Sequence, residues 1–125
     1  MKPRDTAVRL RRFEASEKAR KVASIETMIF DFEHMAADLS RQICAEEERT
    51  GVREPAHFAY STFAKAAALR RANLLTSVAD LRSKLEAARQ EHENAVMELN
   101  KLEPIESRDT DRHLRNSDTS SHVIG

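Results

Sequence analysis

Two stretches of the chain carry mostly apolar residues at alternating intervals of three and four positions. The first runs over about five heptads through Val8, Arg11, Ala15, Lys18, Val22, Ile25, Ile29, Phe32, Ala36, Leu39 and Ile43. The second passes through Tyr60, Ala64, Ala67, Arg71, Leu74, Val78, Leu81, Leu85, Ala88, His92, Ala95, Leu99 and Leu102. Such spacing is typical of the a and d positions of a coiled coil. The pattern predicts two long helices with one seam each, and we expect Met28 and Met35 to widen the first seam.

The composition agrees with long helices. The chain has 125 residues, enough for one domain, with only two Gly, three Pro and no Trp. Aromatic residues make up 5% and charged residues 34%. A compact globular core needs more aromatic side chains, and its turns need more Gly and Pro. We therefore predict an all-α fold: a long antiparallel two-helix coiled-coil hairpin with a disordered C-terminal tail.

The strongest break between the seams is the segment from Gly51 to Pro55. Gly51 suits the residue that follows a helix, where φ is positive, and Pro55 suits a turn or a first helical position. We predict helices over about 6–50 and 56–103, joined by a turn at 51–55, as one domain covering 1–103. Pro104 interrupts the second seam, and residues 104–125 are polar, which predicts a flexible tail. A short helical turn within 109–114 is an open alternative.

The charges predict how the two helices pair. Residues 1–21 carry eight basic and three acidic side chains, and residues 22–50 carry two basic and seven acidic ones. Residues 51–85 carry six basic and two acidic, and residues 86–103 two basic and five acidic. Folding about the turn places blocks of opposite sign side by side, which favours an antiparallel hairpin.

That fold sets a register. It predicts four neighbouring pairs: Ile43 with Ala64, Phe32 with Leu74, Val22 with Leu85, and Ala15 with His92. The polar seam residues Arg11, Lys18 and His92 would then gather at the end where both termini meet, which we expect to be the less stable end.

Residues that support catalysis or metal binding are sparse. The single cysteine, Cys44, follows Ile43, and we expect a partly buried structural thiol. Five histidines are scattered without a metal-binding spacing: His34, His57, His92, His113 and His122. We expect a solvated face for His34 and a tolerated seam position for His92, and we interpret the acidic run 46–48 as solvated. We predict no catalytic residue, no cofactor, no metal and no enzyme activity.

No signal peptide and no apolar run of the ~18–20 residues needed to span a bilayer is found, so we expect a cytoplasmic protein. Zero net charge argues against bulk affinity for nucleic acid.

Two clusters exceed what a coiled coil requires. The first is a basic run near the N-terminus: Arg4, Arg9, Arg11, Arg12, Lys18, Arg20 and Lys21, with Phe13 among them. It is interpreted either as a solvated face or as a docking surface for an acidic protein patch, with nucleic acid or lipid as a further alternative.

The second cluster is the aromatic set Phe58, Tyr60 and Phe63, which a pair of helices cannot bury completely. These residues either close the turn locally or form an exposed anchor for a partner.

Several segments resemble the FliJ family of flagellar export proteins as found in alphaproteobacteria. The first group is Lys2, Pro3, Arg4, Asp5, Arg9, Leu10, Phe13, Glu14, Glu17, Lys18, Ala19, Arg20, Ile25, Glu26, Met35, Ala36, Ala37, Asp38 and Leu39. The more specific group surrounds the turn: Glu54, Pro55, Ala56, His57, Phe58, Ala59, Tyr60, Ala64, Lys65, Ala66, Ala67, Arg70, Arg71 and Leu74. The resemblance covers about residues 1–103.

The resemblance implies a non-enzymatic coiled-coil rod in the flagellar type III export apparatus, located in the cytoplasm and peripheral to the inner membrane. Its partners would be the hexameric export ATPase, the export-gate membrane protein and substrate chaperones, with no nucleic acid. By region, the ATPase side would carry Arg9, Arg11, Arg12, Arg20 and Lys21, and the gate or chaperone side Phe58, Tyr60 and Phe63. The polar tail departs from the longer helical C-terminus expected of the family. A generic cytoplasmic coiled-coil adaptor or scaffold is the alternative.

Overall fold

The structure, a computed structural model, describes residues 2–103, in which two long helices pack against each other. Helix α1 runs over Pro3–Thr50 and helix α2 over Thr62–Leu102. Residues 2–103 contain no β-strand. The predicted all-α helical hairpin is confirmed. The predicted flexible tail at 104–125, including the alternative turn at 109–114, lies outside the described residues.

The helix ends follow from the few chain breakers. Pro3 occupies the first position of α1, where a missing backbone N–H costs nothing, and Asp5 places a carboxylate in the first turn. No Gly or Pro interrupts the rest of either helix. Gly51 ends α1 with a φ of 74°, and its N–H donates to the carbonyl of Glu47 at 2.9 Å.

The chain divides into two compact units. We call residues 21–87 the turn unit, and the described parts of residues 1–20 and 88–125 the terminal unit. Each contains a segment of both helices, and each has its own buried seam.

In the turn unit, the buried apolar residues all occupy predicted seam positions. They are Ile25, Ile29, Ala36, Leu39 and Ile43 of α1 and Ala64, Ala67, Val78, Leu81 and Leu85 of α2. Leu39, Ile43, Ala64 and Ala67 form one cluster, which contains the predicted neighbours Ile43 and Ala64. Ala64 and Ala67 have short side chains, which permit a close approach of the two helices.

Two cross-helix contacts show that the segments of the turn unit run antiparallel. Arg82 pairs with Glu33 at 2.6 Å, and Arg71 donates to the hydroxyl of Ser40 at 3.1 Å. The position on α2 falls as the position on α1 rises. The Glu33–Arg82 pair also joins a predicted acidic block to a predicted basic one.

In the terminal unit, the seam contains smaller and more polar residues. Val8, Ala15 and Ala88 are buried, whereas Arg11, Lys18 and His92 are half-buried at their predicted seam positions. Two ion pairs cross between the helices, Arg12 with Glu103 at 2.8 Å and Lys18 with Glu91 at 3.1 Å. Both join the basic N-terminal block to the acidic end of α2, as the charges predict.

Three local expectations differ from the structure. Helix α2 begins at Thr62, six residues after the predicted start at 56. Met28 and Met35 are 41% and 39% exposed, so they do not widen the buried seam. Cys44 is exposed rather than partly buried. Two paired helices bury one narrow stripe, and a residue adjacent to a seam position is rotated about 100° out of it.

Candidate protein-binding surfaces

The connecting segment, residues 51–61, is an ordered loop between the two helices. Backbone N–H groups of His57 and Tyr60 donate to the carbonyls of Glu54 and His57, each at 3.0 Å, which forms two successive turns. Near its start, the N–H of Val52 donates to the hydroxyl of Thr50 at 3.2 Å. The segment that we predicted as the first six residues of α2 is therefore a folded part of the loop.

Two carboxylates of the last turns of α1 hold the end of this segment. The phenol of Tyr60 donates to Oε2 of Glu47 at 2.8 Å, and the hydroxyl of Ser61 donates to Oε1 of Glu46 at 2.9 Å. Arg49 donates from Nε to Oε2 of Glu46 at 3.1 Å and pairs with the other oxygen as well. Residues that we interpreted as a solvated acidic run thus have specific structural partners.

These contacts change the acidity of the groups involved. The hydrogen bonds from Arg49 and then from Ser61 lower the pKa of Glu46, because they stabilise its charged form. The same pairing with Glu46 raises the pKa of Arg49. Accepting from the Tyr60 phenol, the carboxylate of Glu47 raises the pKa of Tyr60, with a smaller contribution from partial burial.

Ser61 explains where α2 begins. Its hydroxyl oxygen accepts a hydrogen bond from the N–H of Ala64 at 3.2 Å, the geometry of a helix N-cap. Its carbonyl accepts the N–H of Lys65 at 3.0 Å, which is the first bond of the helix. A serine between the first two positions of the second seam, Tyr60 and Ala64, is the signal that would have located this start from the sequence.

The three aromatic residues of the predicted gate side have different environments. Tyr60 is half-buried and packs against the cluster around Ile43. Phe58 is 96% exposed, and its ring stacks on His57 with 4.6 Å between ring centroids. Phe63 is 56% exposed on the first turn of α2. Tyr60 therefore closes the loop, whereas Phe58 and Phe63 are available to a partner.

The imidazole of His57, on which the ring of Phe58 stacks, is held in place by the loop backbone. Its Nδ1 accepts a hydrogen bond from the N–H of Ala59 at 2.9 Å, which anchors the imidazole to the loop backbone. The stacked pair thus holds an exposed aromatic ring on an ordered loop. A preorganised ring loses little conformational entropy when a partner covers it.

The basic residues of the predicted ATPase side differ in how they are paired. In the terminal unit, Arg11 pairs with Glu14 at 3.1 Å, Arg12 with Glu103 at 2.8 Å, and Arg20 with Glu17 at 3.2 Å. Arg9 is exposed and makes no ion pair within residues 2–103. Lys21 is exposed and belongs to the turn unit. The predicted ATPase side is therefore partly neutralised, and Arg9 is exposed without an ion pair among the described residues.

Two apolar side chains lie among these arginines on the outer face of α1. Phe13 is 62% and Leu10 is 55% exposed. They are three positions apart and so lie on one side of the helix. Leu10 is not a seam position, and its place outside the seam beside Arg9 is visible in the sequence. Exposed apolar groups bordered by cations are typical of protein-binding surfaces.

Neither a metal-binding group nor a membrane-spanning helix is present within residues 2–103. No group of three or more His, Cys, Asp or Glu side chains in this part of the chain is placed to hold a metal ion. Neither α1 nor α2 has a stretch long and apolar enough to cross a membrane.

Comparison with known proteins identifies no relative. No protein-family model matches the chain, and no curated protein or solved structure matches it either.

Proposed function

We propose that this chain is a non-enzymatic component of the bacterial flagellar type III protein-export apparatus, located in the cytoplasm and peripheral to the inner membrane. It would couple the export ATPase to the export gate and escort substrate chaperones. The proposal rests on the resemblance to the FliJ family. The observation that best supports a binding role is Phe58, which is 96% exposed on an ordered loop. A large apolar ring held in solvent gains most when a partner buries it.

The contact with the ATPase would use the basic residues of α1. Arg9 and Arg20 are exposed, and Phe13 and Leu10 lie nearby on the same helix. An acidic partner patch would pair with the arginines while the two apolar side chains are covered. Arg11, Arg12 and Arg20 each have an acceptor within the chain, but the side chain of Arg20 is 76% exposed, against 41% for Arg11 and 52% for Arg12. Arg11 and Arg12 would therefore contribute less than Arg20. Lys21 would add charge from the turn unit.

The contact with the gate or chaperones would use Phe58 and Phe63. Both rings are exposed within the turn unit, so a partner surface with apolar pockets can receive them. Tyr60 has a supporting role in this proposal, because its phenol is already bonded to Glu47. Losing Tyr60 would loosen the loop that carries Phe58 rather than remove a contact.

The decisive experiment is a deletion strain of the organism that encodes this chain, complemented with the gene in trans. We expect loss of swimming motility and of secreted flagellin in the deletion, and recovery of both on complementation. A strain that swims and secretes flagellin normally would refute the export role. It would favour the alternative, a generic cytoplasmic coiled-coil adaptor or scaffold.

Two sets of variants assign the surfaces. Arg9→Glu with Arg20→Glu should abolish pull-down of the export ATPase, whereas Lys84→Glu, an exposed cation of α2, serves as the control. Phe58→Ala should abolish binding to the gate or chaperones while ATPase binding persists. Phe30→Ala, which removes another exposed ring, is its control. Circular dichroism should show unchanged helicity in all four variants, so that a loss of binding reports on the surface alone.

A further inference from the structure

The turn unit has a groove along one side of its helix pair, lined by both apolar and polar side chains, which the proposed export contacts only partly use. Met35, Asp38 and Gln42 of α1 line one rim, and Phe63, Ala66 and Arg70 of α2 line the other. Its two adjoining hollows have volumes of about 160 and 190 Å³. The buried side chains of Leu39 and Ala67 form the floor.

Large apolar side chains in and beside the groove are exposed to solvent, although burial would be more favourable for them. Phe63 is 56% exposed and Met35 39%, and Met28, seven positions before Met35 and so on the same side of α1, is 41% exposed. Methionine is common at helix-binding surfaces because its flexible thioether adapts to the surface it meets. The groove is therefore bordered by exposed apolar side chains that the side chains of another helix can cover.

The charges on the two rims indicate what kind of helix would fit the groove. Asp38 lies on the α1 rim, where it pairs with Arg41 of its own helix. Arg70 lies on the α2 rim and makes no ion pair within residues 2–103. An occupant with a carboxylate opposite Arg70 and a cation opposite Asp38 would complement the charges of both rims.

A second copy of the chain meets both requirements. A two-fold axis along the groove would place Asp38 of each copy against Arg70 of the other, because in a two-fold interface each contact occurs twice. It would also place the α1 rim of one copy on the α2 rim of the other, which gives an antiparallel four-helix bundle. With 21 basic and 21 acidic residues, the chain has no net charge to oppose self-association.

We propose that this groove is a homodimer interface, in which two turn units pack Met35 and Phe63 together and Asp38 pairs with Arg70 of the second copy. The proposal does not depend on the export role. Because Phe63 would be buried in the dimer, self-association would compete with any partner that covers Phe63.

The test is the mass of the full chain in solution, measured by sedimentation equilibrium with a reducing agent present, so that the exposed Cys44 cannot cross-link copies. Over about 1 µM to 1 mM we expect a transition from the 14.2 kDa chain to twice that mass. Met35→Glu should raise the dissociation constant about tenfold or more, because it buries a charge in the apolar contact. Phe30→Glu adds the same charge about 140° around α1 and should leave the dissociation constant unchanged.

The rim charges give a sharper test. Asp38→Arg and Arg70→Asp should each weaken the dimer, because each single variant sets like charges against each other across the interface. The double variant exchanges the charges of the two rims, so opposite charges meet again and the dimer should recover. Two singles that weaken the dimer with no recovery in the double variant would overturn the pairing. A wild-type chain that stays monomeric throughout the concentration range would overturn the interface itself and leave the groove to a helix of another protein.

Cys44 reports which side of the turn unit is covered. It lies nine positions from Met35 and so about half a turn around α1 from the groove. Its reaction rate with a maleimide should therefore be the same in monomer and dimer. Protection of Cys44 in the dimer would place the interface on the other side of the unit and overturn the proposal.

Discussion

The phenol of Tyr60 donates a hydrogen bond of 2.8 Å to Oε2 of Glu47, thirteen positions earlier in the chain. This contact joins the last turns of α1 to the loop that precedes α2. Together with the bond from Ser61 to Glu46, it holds the end of the loop on which Phe58 is exposed. The sequence suggests a solvated acidic run at 46–48 and an exposed aromatic anchor that includes Tyr60. In the structure, Glu47 of the acidic run accepts a hydrogen bond from Tyr60 of the aromatic set.

The Tyr60–Glu47 bond predicts an alkaline transition in the loop. Because the folded state favours the protonated phenol, the pKa of Tyr60 is raised above its ordinary value of 10.0. The contribution of this bond to stability is fully present below the unfolded pKa and is lost as pH rises through the folded one. Tyr60 is the only tyrosine and the chain has no Trp, so ultraviolet absorbance follows this group alone.

Glu47→Ala should return the titration of Tyr60 toward that of the urea-unfolded chain. Glu48→Ala is the matched control, because Glu48 is an exposed neighbour of the same charge. An equal shift in both variants would mean that the general acidity of the run, rather than the bond, perturbs Tyr60.

Gly51→Ala should destabilise the protein through backbone strain alone. Gly51 has a φ of 74°, and a Cβ atom built there meets nothing within 4 Å. We expect a loss of about 1 kcal/mol in the free energy of unfolding, measured by urea denaturation. Gly51→Asn should cost less, because asparagine tolerates this conformation better. Equal losses for Ala and Asn would argue against strain as the cause.

Ile43→Ala should be among the most damaging truncations in the turn unit. Ile43 is 6% exposed and packs in the cluster with Leu39 and Ala64. We expect a loss of about 2–4 kcal/mol in the free energy of unfolding from lost burial and the cavity that remains. Leu69→Ala removes a side chain that is 65% exposed and should cost less than about 0.5 kcal/mol. Similar losses at the two sites would contradict the assigned seam.

The Glu33–Arg82 ion pair gives a test of helix register. Its two side chains are 44% and 63% exposed, so a double-mutant cycle should give a coupling of only about 0.2–1 kcal/mol. Glu33→Arg with Arg82→Glu should recover the stability lost in either single variant. Combining Glu33→Arg with Lys84→Glu should show no recovery, and high salt should reduce the coupling of the true pair.

The architecture was predictable because a two-helix fold depends on one simple periodic rule. Each predicted seam position within residues 2–103 is buried or half-buried, including the polar positions Arg11, Lys18 and His92. The direction of pairing was also predictable, since blocks of charge identify which segments lie side by side. The ion pairs Arg12–Glu103 and Glu33–Arg82 follow those blocks.

The connecting segment was less predictable because its structure depends on contacts between side chains distant in sequence. Pro55 marks a turn but does not fix its length. The turns at His57 and Tyr60, and the bonds of Glu46 and Glu47, together delay α2 until Ser61 can cap it. Periodicity carries no information about such pairings.

Periodicity and charge along the sequence are enough to predict two paired helices, the residues that face the seam, and the blocks of charge that meet across it. Those properties follow from helix geometry, which repeats regularly along the chain. Three other features become visible only in the folded chain. Tyr60 packs inward while Phe58 remains exposed, Cys44 and Met35 lie outside the core, and Asp38 and Arg70 border one groove. Exposure of a residue beside the seam depends on how the partner helix packs, and that distance and rotation are set by all the contacts together.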